Sequence, residues 1–236
     1  MNIRELHEML SHGELQNLAL SNNGNGTIRE ADYAKIRNYA NDALVRLYSQ
    51  FVLKEKDILV QTYSWITNYH LVPKFAVNYT PAGTTDDEPT RYILDLPGEP
   101  FTGDIIKVLA VYDECRNQLP LNDAESLWSV FTPMVNVLQV PTAQFAGVIS
   151  VQYQAKHPKL GDDLDQEIEL PEVLWPALTA FIAYKAHSYM NQQDSTVKAQ
   201  EHLAMYEAVC KAAKQDDLVN SSIVTTNTKF KKWGWV

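Results

Sequence analysis

A β-rich middle enclosed by helical sequence most constrains how this chain can fold. From Lys56 to Tyr153 the residues are rich in Val, Ile, Thr, Tyr and Phe and are punctuated by Pro and Gly, which is typical of short strands. On both sides of this stretch, apolar residues recur every three or four positions, which predicts helices. The pattern predicts one α+β domain over residues 1–217. It is helical at 1–54 and 170–215, and a β-rich insertion occupies 56–155.

Six strands are predicted within the insertion. They lie at Asp57–Thr62, Ile66–Leu71, Arg91–Leu94, Asp104–Tyr112, Phe131–Val140 and Val148–Tyr153. Two polar stretches, Thr80–Pro89 and Asn117–Ser126, are predicted as loops.

Four helices are predicted around the insertion. The first carries an apolar stripe that continues to Leu18, and Thr27–Glu30 has the form of a capping box that opens a second helix reaching about Leu53. Pro171 followed by Glu172 suits the first turn of the third helix. A short turn at Asn191–Asp194 then leads to the fourth, so the last two helices should form an αα-hairpin.

Charge and hydropathy narrow the possible partners. The formal net charge is −9, so the chain as a whole should repel DNA rather than collect it through phosphate contacts. The longest apolar runs are well short of the ~18 residues that cross a bilayer, and we expect no membrane contact. Acidic residues concentrate at Asp86–Glu88 and Asp162–Glu172.

Motifs for metal, nucleotide or nucleophilic chemistry are missing from the sequence, and we expect no cofactor and no enzyme. Ser21–Asp32 imitates a calcium loop but offers too few carboxylates, so a turn leading into a capped helix is favoured. The acidic run around Asp165 and Glu167 could supply the two carboxylates of a cell-wall-cleaving glycoside hydrolase. A solvated acidic segment before a helix explains the same residues and is preferred.

The final stretch, residues 218–236, shows no helical or packing periodicity. It carries three aromatic rings interleaved with cations, residue types favoured as interface anchors. We interpret it as a docking arm whose contact residues are Lys229, Phe230, Lys231, Lys232, Trp233 and Trp235. The alternative is a last edge strand folded back on its own domain.

This order of elements resembles the head-to-tail adaptor (connector) proteins of short-tailed bacteriophages. The matching segments span most of the chain: Thr27–Tyr33, Thr67–Leu71, Asp104–Asp113, Ile168–Glu172, Ala183–Ala186 and Ala199–Tyr206. The resemblance implies a homo-oligomeric ring, usually of twelve copies, in the virion at the head–tail interface and synthesised in the host cytoplasm.

In such a ring the C-terminal arm binds the portal protein, the β region faces a tail nozzle or tail tube protein, and DNA passes through an acidic lumen without specific binding. Another tail ring component, a nozzle or tube protein, is the nearest alternative.

Overall fold

A computed structural model describes residues 1–21, 25, 27–80, 90–141, 147–190 and 193–219. Within these residues the chain forms four α-helices and eight β-strands and is an α+β protein. It divides into two compact units, one built from Met1–Val52 and Lys159–Val236, here the helical unit, and one from Leu53–Pro158, here the β unit. The predicted loop at Thr80–Pro89 lies almost wholly outside the described residues, as does the calcium-like loop at 22–24 and 26.

The helical unit is organised around one helix that is apolar on all sides. Its helices are α1 (Ile3–His12), α2 (Tyr33–Gln50), α3 (Trp175–Ser188) and α4 (Gln193–Gln215). Helix α3 buries residues on every face, among them Leu178, Phe181 and Ile182, and it packs against each of the other three helices. A helix without a polar face is stable in water only when it is enclosed in this way. The predicted αα-hairpin is present as α3 and α4.

The capping box of the helical unit is at a different helix from the one predicted. The capping box predicted at Thr27–Glu30 is wrong, because a 3-10 turn at Glu30–Asp32 precedes α2 and neither start has a side-chain cap. The box that does form is at α1, where the Asn2 side chain accepts from the Glu5 amide at 2.8 Å and the Glu5 carboxylate accepts from the Asn2 amide at 3.0 Å. The first helix also ends at His12, since Gly13 caps it, although Leu15 beyond the cap is fully buried.

Two antiparallel sheets make up the β unit. The larger has the order β3 (Ile93–Leu94), β1 (Glu55–Gln61), β8 (Val148–Ala155), β4 (Ile105–Tyr112) and β5 (Gln118–Leu119). The smaller has the order β2 (Asn68–His70), β7 (Val137–Gln139) and β6 (Phe131–Met134). Buried side chains from both sheets, such as Val60, Val151, Tyr69 and Leu138, form one hydrophobic core.

Most predicted strands are found with shifted ends, and two predictions are wrong. The single strand at Phe131–Val140 is a hairpin, β6 and β7, whose turn includes Val135 and Asn136. The loop predicted at Asn117–Ser126 contains the short strand β5, which pairs with the end of β4. Both errors concern pairing between strands, which a periodicity of apolar residues does not reveal.

Strand register gives the β unit two distinct ends. Glu55 pairs with Gln154 and Gln61 with Val148, so the chain enters and leaves the unit at one end of the large sheet. We call this the near end. The opposite end, formed by Thr62, Gly147 and the β4–β5 turn, is the far end.

Candidate partner-binding site

The docking residues predicted from sequence, Lys229, Phe230, Lys231, Lys232, Trp233 and Trp235, lie outside the described residues. The structure does describe how the preceding helix stops. Asp217 has a positive φ of 50°, and the Leu218 amide donates to the Ala213 carbonyl at 3.1 Å. This six-to-one hydrogen bond after a left-handed residue is a Schellman-type closure. Helix α4 is therefore terminated just before the predicted arm.

A cavity of about 360 Å³ opens at the far end of the β unit. Its walls are mainly apolar, formed by Leu119, Leu127, Trp128, Val130, Val140 and Ile149. Polar lining comes from Thr62, Asp113, Glu114, Cys115 and Ser129. An apolar concavity with a few polar groups at its edge is the usual form of a binding pocket.

Hydrogen bonds hold the wall between β1 and β8 in place. The Thr62 hydroxyl donates to the Gly147 carbonyl at 2.7 Å and accepts from the Gly147 amide at 3.0 Å. The Glu114 carboxylate accepts from the Val148 amide at 2.7 Å. A Cβ on residue 147 would lie 2.7 Å from the Glu114 Oε1, so only glycine lets this carboxylate approach the backbone.

Large apolar side chains are exposed around this end. Leu127 is 83% exposed and Trp128 is 54% exposed, both on the loop that enters β6. Trp65 is 67% exposed on the loop between β1 and β2, with its ring 5.4 Å from that of Tyr63. The Tyr69 hydroxyl fixes this loop by accepting from the Tyr63 amide at 2.7 Å. Exposed aromatic side chains near an apolar cavity mark a surface suited to a partner.

Acidic groups surround the cavity. Asp113 accepts hydrogen bonds from the Asn117 side chain and backbone, which lower the pKa of its carboxyl below the ordinary value. Glu114 follows it, and Asp123 lies beside the wall because its amide donates to the Ser129 hydroxyl at 2.9 Å. One cation, Arg116, sits in the same turn as Asp113.

Four of the five lysines of the β unit lie instead at the near end, as strand register shows. Lys56 pairs with Tyr153, Lys107 pairs with Gln154, and Lys54 and Lys156 flank β1 and β8 at that end. Lys56 is neutralised there by Asp104 at 3.1 Å. Glu55, Asp57 and Asp104 accompany these lysines, so the charges of the near end are mixed, whereas Asp113, Glu114 and Asp123 lie at the far end with Arg116.

Sequence reasoning did not find this site. Leu127 and Trp128 lie just after the predicted loop Asn117–Ser126. Two large apolar residues beside a polar loop are the one sequence feature that could have indicated a binding surface there. The periodicity of apolar residues could not predict that this loop lines a cavity together with Thr62 and Gly147, which are distant in sequence.

The acidic run weighed as a hydrolase site has structural partners in the helical unit. Arg4 donates to Asp165 at 3.0 Å, and Arg37 pairs with Asp162. Backbone bonds link the same segment to the start of α1, with the Ile168 amide donating to the Met1 carbonyl at 2.8 Å. The Tyr48 hydroxyl donates to the Glu169 carbonyl. The run thus fastens the chain to α1 and α2 after it leaves the β unit.

We expect the purified protein not to clear peptidoglycan, and the variants Asp165→Asn and Glu167→Gln to behave like the wild type. Asp165 is exposed and paired with an arginine, so its substitution should change stability only slightly. Turbidity of a cell-wall suspension measures the activity. Clearing by the wild type that either amide variant abolishes would restore the hydrolase interpretation.

Within the described part of the chain, no three His, Cys, Asp or Glu side chains are grouped so that they could hold a metal ion. Both cysteines are free, Cys115 exposed at the cavity and Cys210 buried in α4. None of the described helices has the length and apolar character needed to span a membrane. The chain matches no protein-family model and no curated protein.

Proposed function

We propose that this protein is a structural connector of a short-tailed bacteriophage, forming a ring that joins the portal to the tail and continues the DNA channel. The observation that carries the proposal is the exposed apolar surface at the far end of the β unit. The β unit is inserted between α2 and α3, and it presents an apolar surface at the end away from its chain connections. Such a surface suits a protein whose role is to bind neighbours.

The far end of the β unit is the proposed tail-facing contact. Trp65, Leu127 and Trp128 offer large anchors, and the acidic groups beside them favour a basic partner. The partner expected here is a tail nozzle or tail tube protein.

The proposed portal contact is the C-terminal arm, residues 218–236. The capped end of α4 stops the helix before it, so the arm need not continue as a helix. Its lysines and aromatic rings, centred on Phe230, Trp233 and Trp235, fit a groove with apolar pockets and acidic edges.

Ring closure requires that one face of each copy match a different face of the next. Among the described residues, helix α4 has exposed apolar side chains that could supply such a face. Val197 and Met205 are about half exposed, and with Ala204, Ala208 and Ala212 they form an apolar stripe that Glu201 interrupts. We propose that this stripe contributes to the contact between neighbouring copies, twelve of which would complete the ring.

The test is removal of Lys229–Val236. We expect the truncated protein to keep its helical circular dichroism and to lose binding to the portal protein of the same phage, because the anchors are gone. Particle mass, measured for each protein alone and for the mixture, reports both ring formation and portal binding.

A matched control is Leu127→Ser combined with Trp128→Ser, which changes the far end and leaves the arm intact. This variant should bind the portal normally and fail to recruit the tail-side protein. Unchanged portal binding after truncation would contradict the arm assignment. Binding to tail proteins alone, with no affinity for a portal, would favour the alternative of a nozzle or tube ring.

A further inference from the structure

The β6–β7 hairpin carries two large apolar side chains at its end. Met134 is 66% exposed and Val135, next to it, is 61% exposed. Met134 pairs with Val137, so Val135 and Asn136 form a two-residue turn. We call Met134 and Val135 the tip. Most of their surface lies in water within a single copy, and adjacent exposed apolar side chains of this kind suit a contact with another molecule.

Hydrogen bonds hold the tip in place and close the strand edge beside it. The Asn136 carbonyl accepts from the Leu71 amide at 2.7 Å, which fixes the turn. On the outer edge of β6 the Thr132 amide donates to the Asn122 Oδ1 at 2.8 Å. Pro133, the next residue, has no amide to offer to an added strand. The hairpin therefore presents the side chains of its tip, and not a free backbone edge, to another molecule.

The tip and the far-end cavity lie at opposite ends of this hairpin. Val130, just before β6, and Val140, just after β7, both line the cavity. The four residues Phe131–Met134 separate Val130 from Val135, roughly 13 Å at ~3.3 Å for each residue. Because the hairpin is paired along its length, its tip cannot turn back into the cavity of the same copy. A tip can reach this cavity only from a second copy.

The cavity is large enough for the tip. Its volume is about 360 Å³, whereas an apolar cavity of about 150 Å³ already admits benzene. Leu119, Val130 and Ile149 give it apolar walls. It therefore has room for an unbranched, flexible side chain such as that of Met134, a type that adapts to irregular apolar sites.

The charge beside the cavity is negative. Residues 112–130 supply most of its lining, and Asp113 and Glu114 are themselves lining residues. This segment has four carboxylates and one cation: Asp113, Glu114, Asp123, Glu125 and Arg116. A second copy that docks here should bring a cation and no carboxylate.

The charge beside the tip is of the opposite kind. Two segments surround the tip, residues 66–77 and 131–140, and neither contains Asp or Glu. The first carries Lys74, which is exposed. Asp104, next to that segment, is already paired with Lys56 at 3.1 Å. The tip thus matches the cavity in apolar character and opposes it in charge.

We propose that copies of this protein associate head to tail through the β unit, with the tip of one copy in the far-end cavity of the next. Because tip and cavity are different surfaces, each copy keeps one of them for a further neighbour, as in the contacts that build rings or open chains. The contact does not depend on the connector assignment. A consequence rests on that proposed function: the tail-side protein must displace a neighbour's tip before it binds the far end.

The native thiol of Cys115 provides a direct test, because it is exposed and lines the cavity. In the full chain carrying Val135→Cys, oxidised glutathione should produce a disulfide between residue 115 of one copy and residue 135 of another. Peptide mass spectrometry identifies it, and non-reducing electrophoresis should show a ladder of multimers. Cys210 is buried and should remain a thiol.

Mixing two variants shows which surfaces meet. A chain with Val135→Cys and Cys115→Ser lacks the cavity thiol, so it should form the 115–135 disulfide only when mixed with the wild type. The matched control is Val77→Cys, a second exposed valine of the β unit. It should cross-link to Cys115 at least about tenfold more slowly, since only random encounters bring the two thiols together.

The chemistry of the contact is tested on the tip itself. Met134→Ser, added to Val135→Cys, should slow the cross-link about tenfold, the effect of losing one good anchor. Lys74→Glu should also slow it, and high salt should weaken the effect of Lys74. All three side chains are exposed, and circular dichroism verifies that the fold is intact.

Two results would overturn the proposal. Equal cross-linking rates for Val135→Cys and Val77→Cys would mean that the cavity does not select the tip. A disulfide between two residues 135, formed by the chain that lacks Cys115, would assign the tip to a symmetric contact. Neither a portal nor a tail protein is present, so failure here is distinguishable from failure of the connector proposal, which the removal of Lys229–Val236 tests.

Discussion

Replacing Tyr69 with alanine should lower the free energy of unfolding of the β unit by about 3–5 kcal/mol, the cost of removing a fully buried aromatic ring. The ring packs edge-on against Tyr92, with centroids 5.1 Å apart, between the two sheets. Its hydroxyl accepts from the Tyr63 amide and donates to the Tyr63 carbonyl. The variant Tyr69→Phe keeps the ring and removes only the hydroxyl. It should lower the free energy of unfolding by about 1–3 kcal/mol, because the Tyr63 amide loses its hydrogen-bond partner.

Urea unfolding followed by near-ultraviolet circular dichroism measures these changes, and Tyr79→Ala is the matched control. Tyr79 is 39% exposed, so its replacement should change stability far less. The hydroxyl also positions the loop that carries Trp65, and we expect Tyr69→Phe to weaken binding of the proposed tail-side partner. A Tyr69→Ala variant as stable as the wild type would mean that the two sheets do not share this core.

Acidification should destabilise the helical unit through His7. Burial lowers the pKa of His7 from 6.5 to about 4, and its ring lies against Tyr33 with centroids 4.8 Å apart. Between those two pH values the unfolded chain binds a proton that the folded chain does not, so stability falls as the pH falls. The loss accumulates to about 3 kcal/mol at pH 4 and is absent above pH 6.5.

The variant His7→Phe keeps an aromatic ring beside Tyr33 and removes the titration, so it should flatten this part of the pH profile. His12→Phe, in the same helix and exposed, is the control and should retain the wild-type slope. Burial also lowers the pKa of His187, which stacks on His202 with centroids 5.3 Å apart, and a smaller slope should therefore persist in His7→Phe. Urea midpoints from pH 4 to 7, read by far-ultraviolet circular dichroism, measure the effect. An unchanged slope in His7→Phe would exclude His7 as its source.

The periodicity of apolar residues within single segments predicted the main helices and strands. The stripe through Ile36, Ala40, Leu44 and Leu47 indicated α2, and these side chains are buried along one face. The β-branched composition of the stretch predicted β1, and its Ile58 and Val60 are buried on one face. In each case neighbours a few residues apart determine which face is apolar, so the information lies within one segment.

Pairing between distant segments was decided only in three dimensions. The sequence order of the strands does not reveal that β8 lies between β1 and β4, or that Val137 turns back along Phe131–Met134. Nor does it reveal that Asp165 meets Arg4 across more than half of the chain, or that Trp128 lines a cavity with Thr62 and Gly147. These contacts require long loops to close, and loop closure lowers the entropy of the chain. Burial of side chains in the completed core offsets this loss, whereas local conformational preferences do not. The sequence by itself therefore determined the α+β class and the aromatic, basic composition of residues 229–236, whereas the cavity at the far end exists only through tertiary packing.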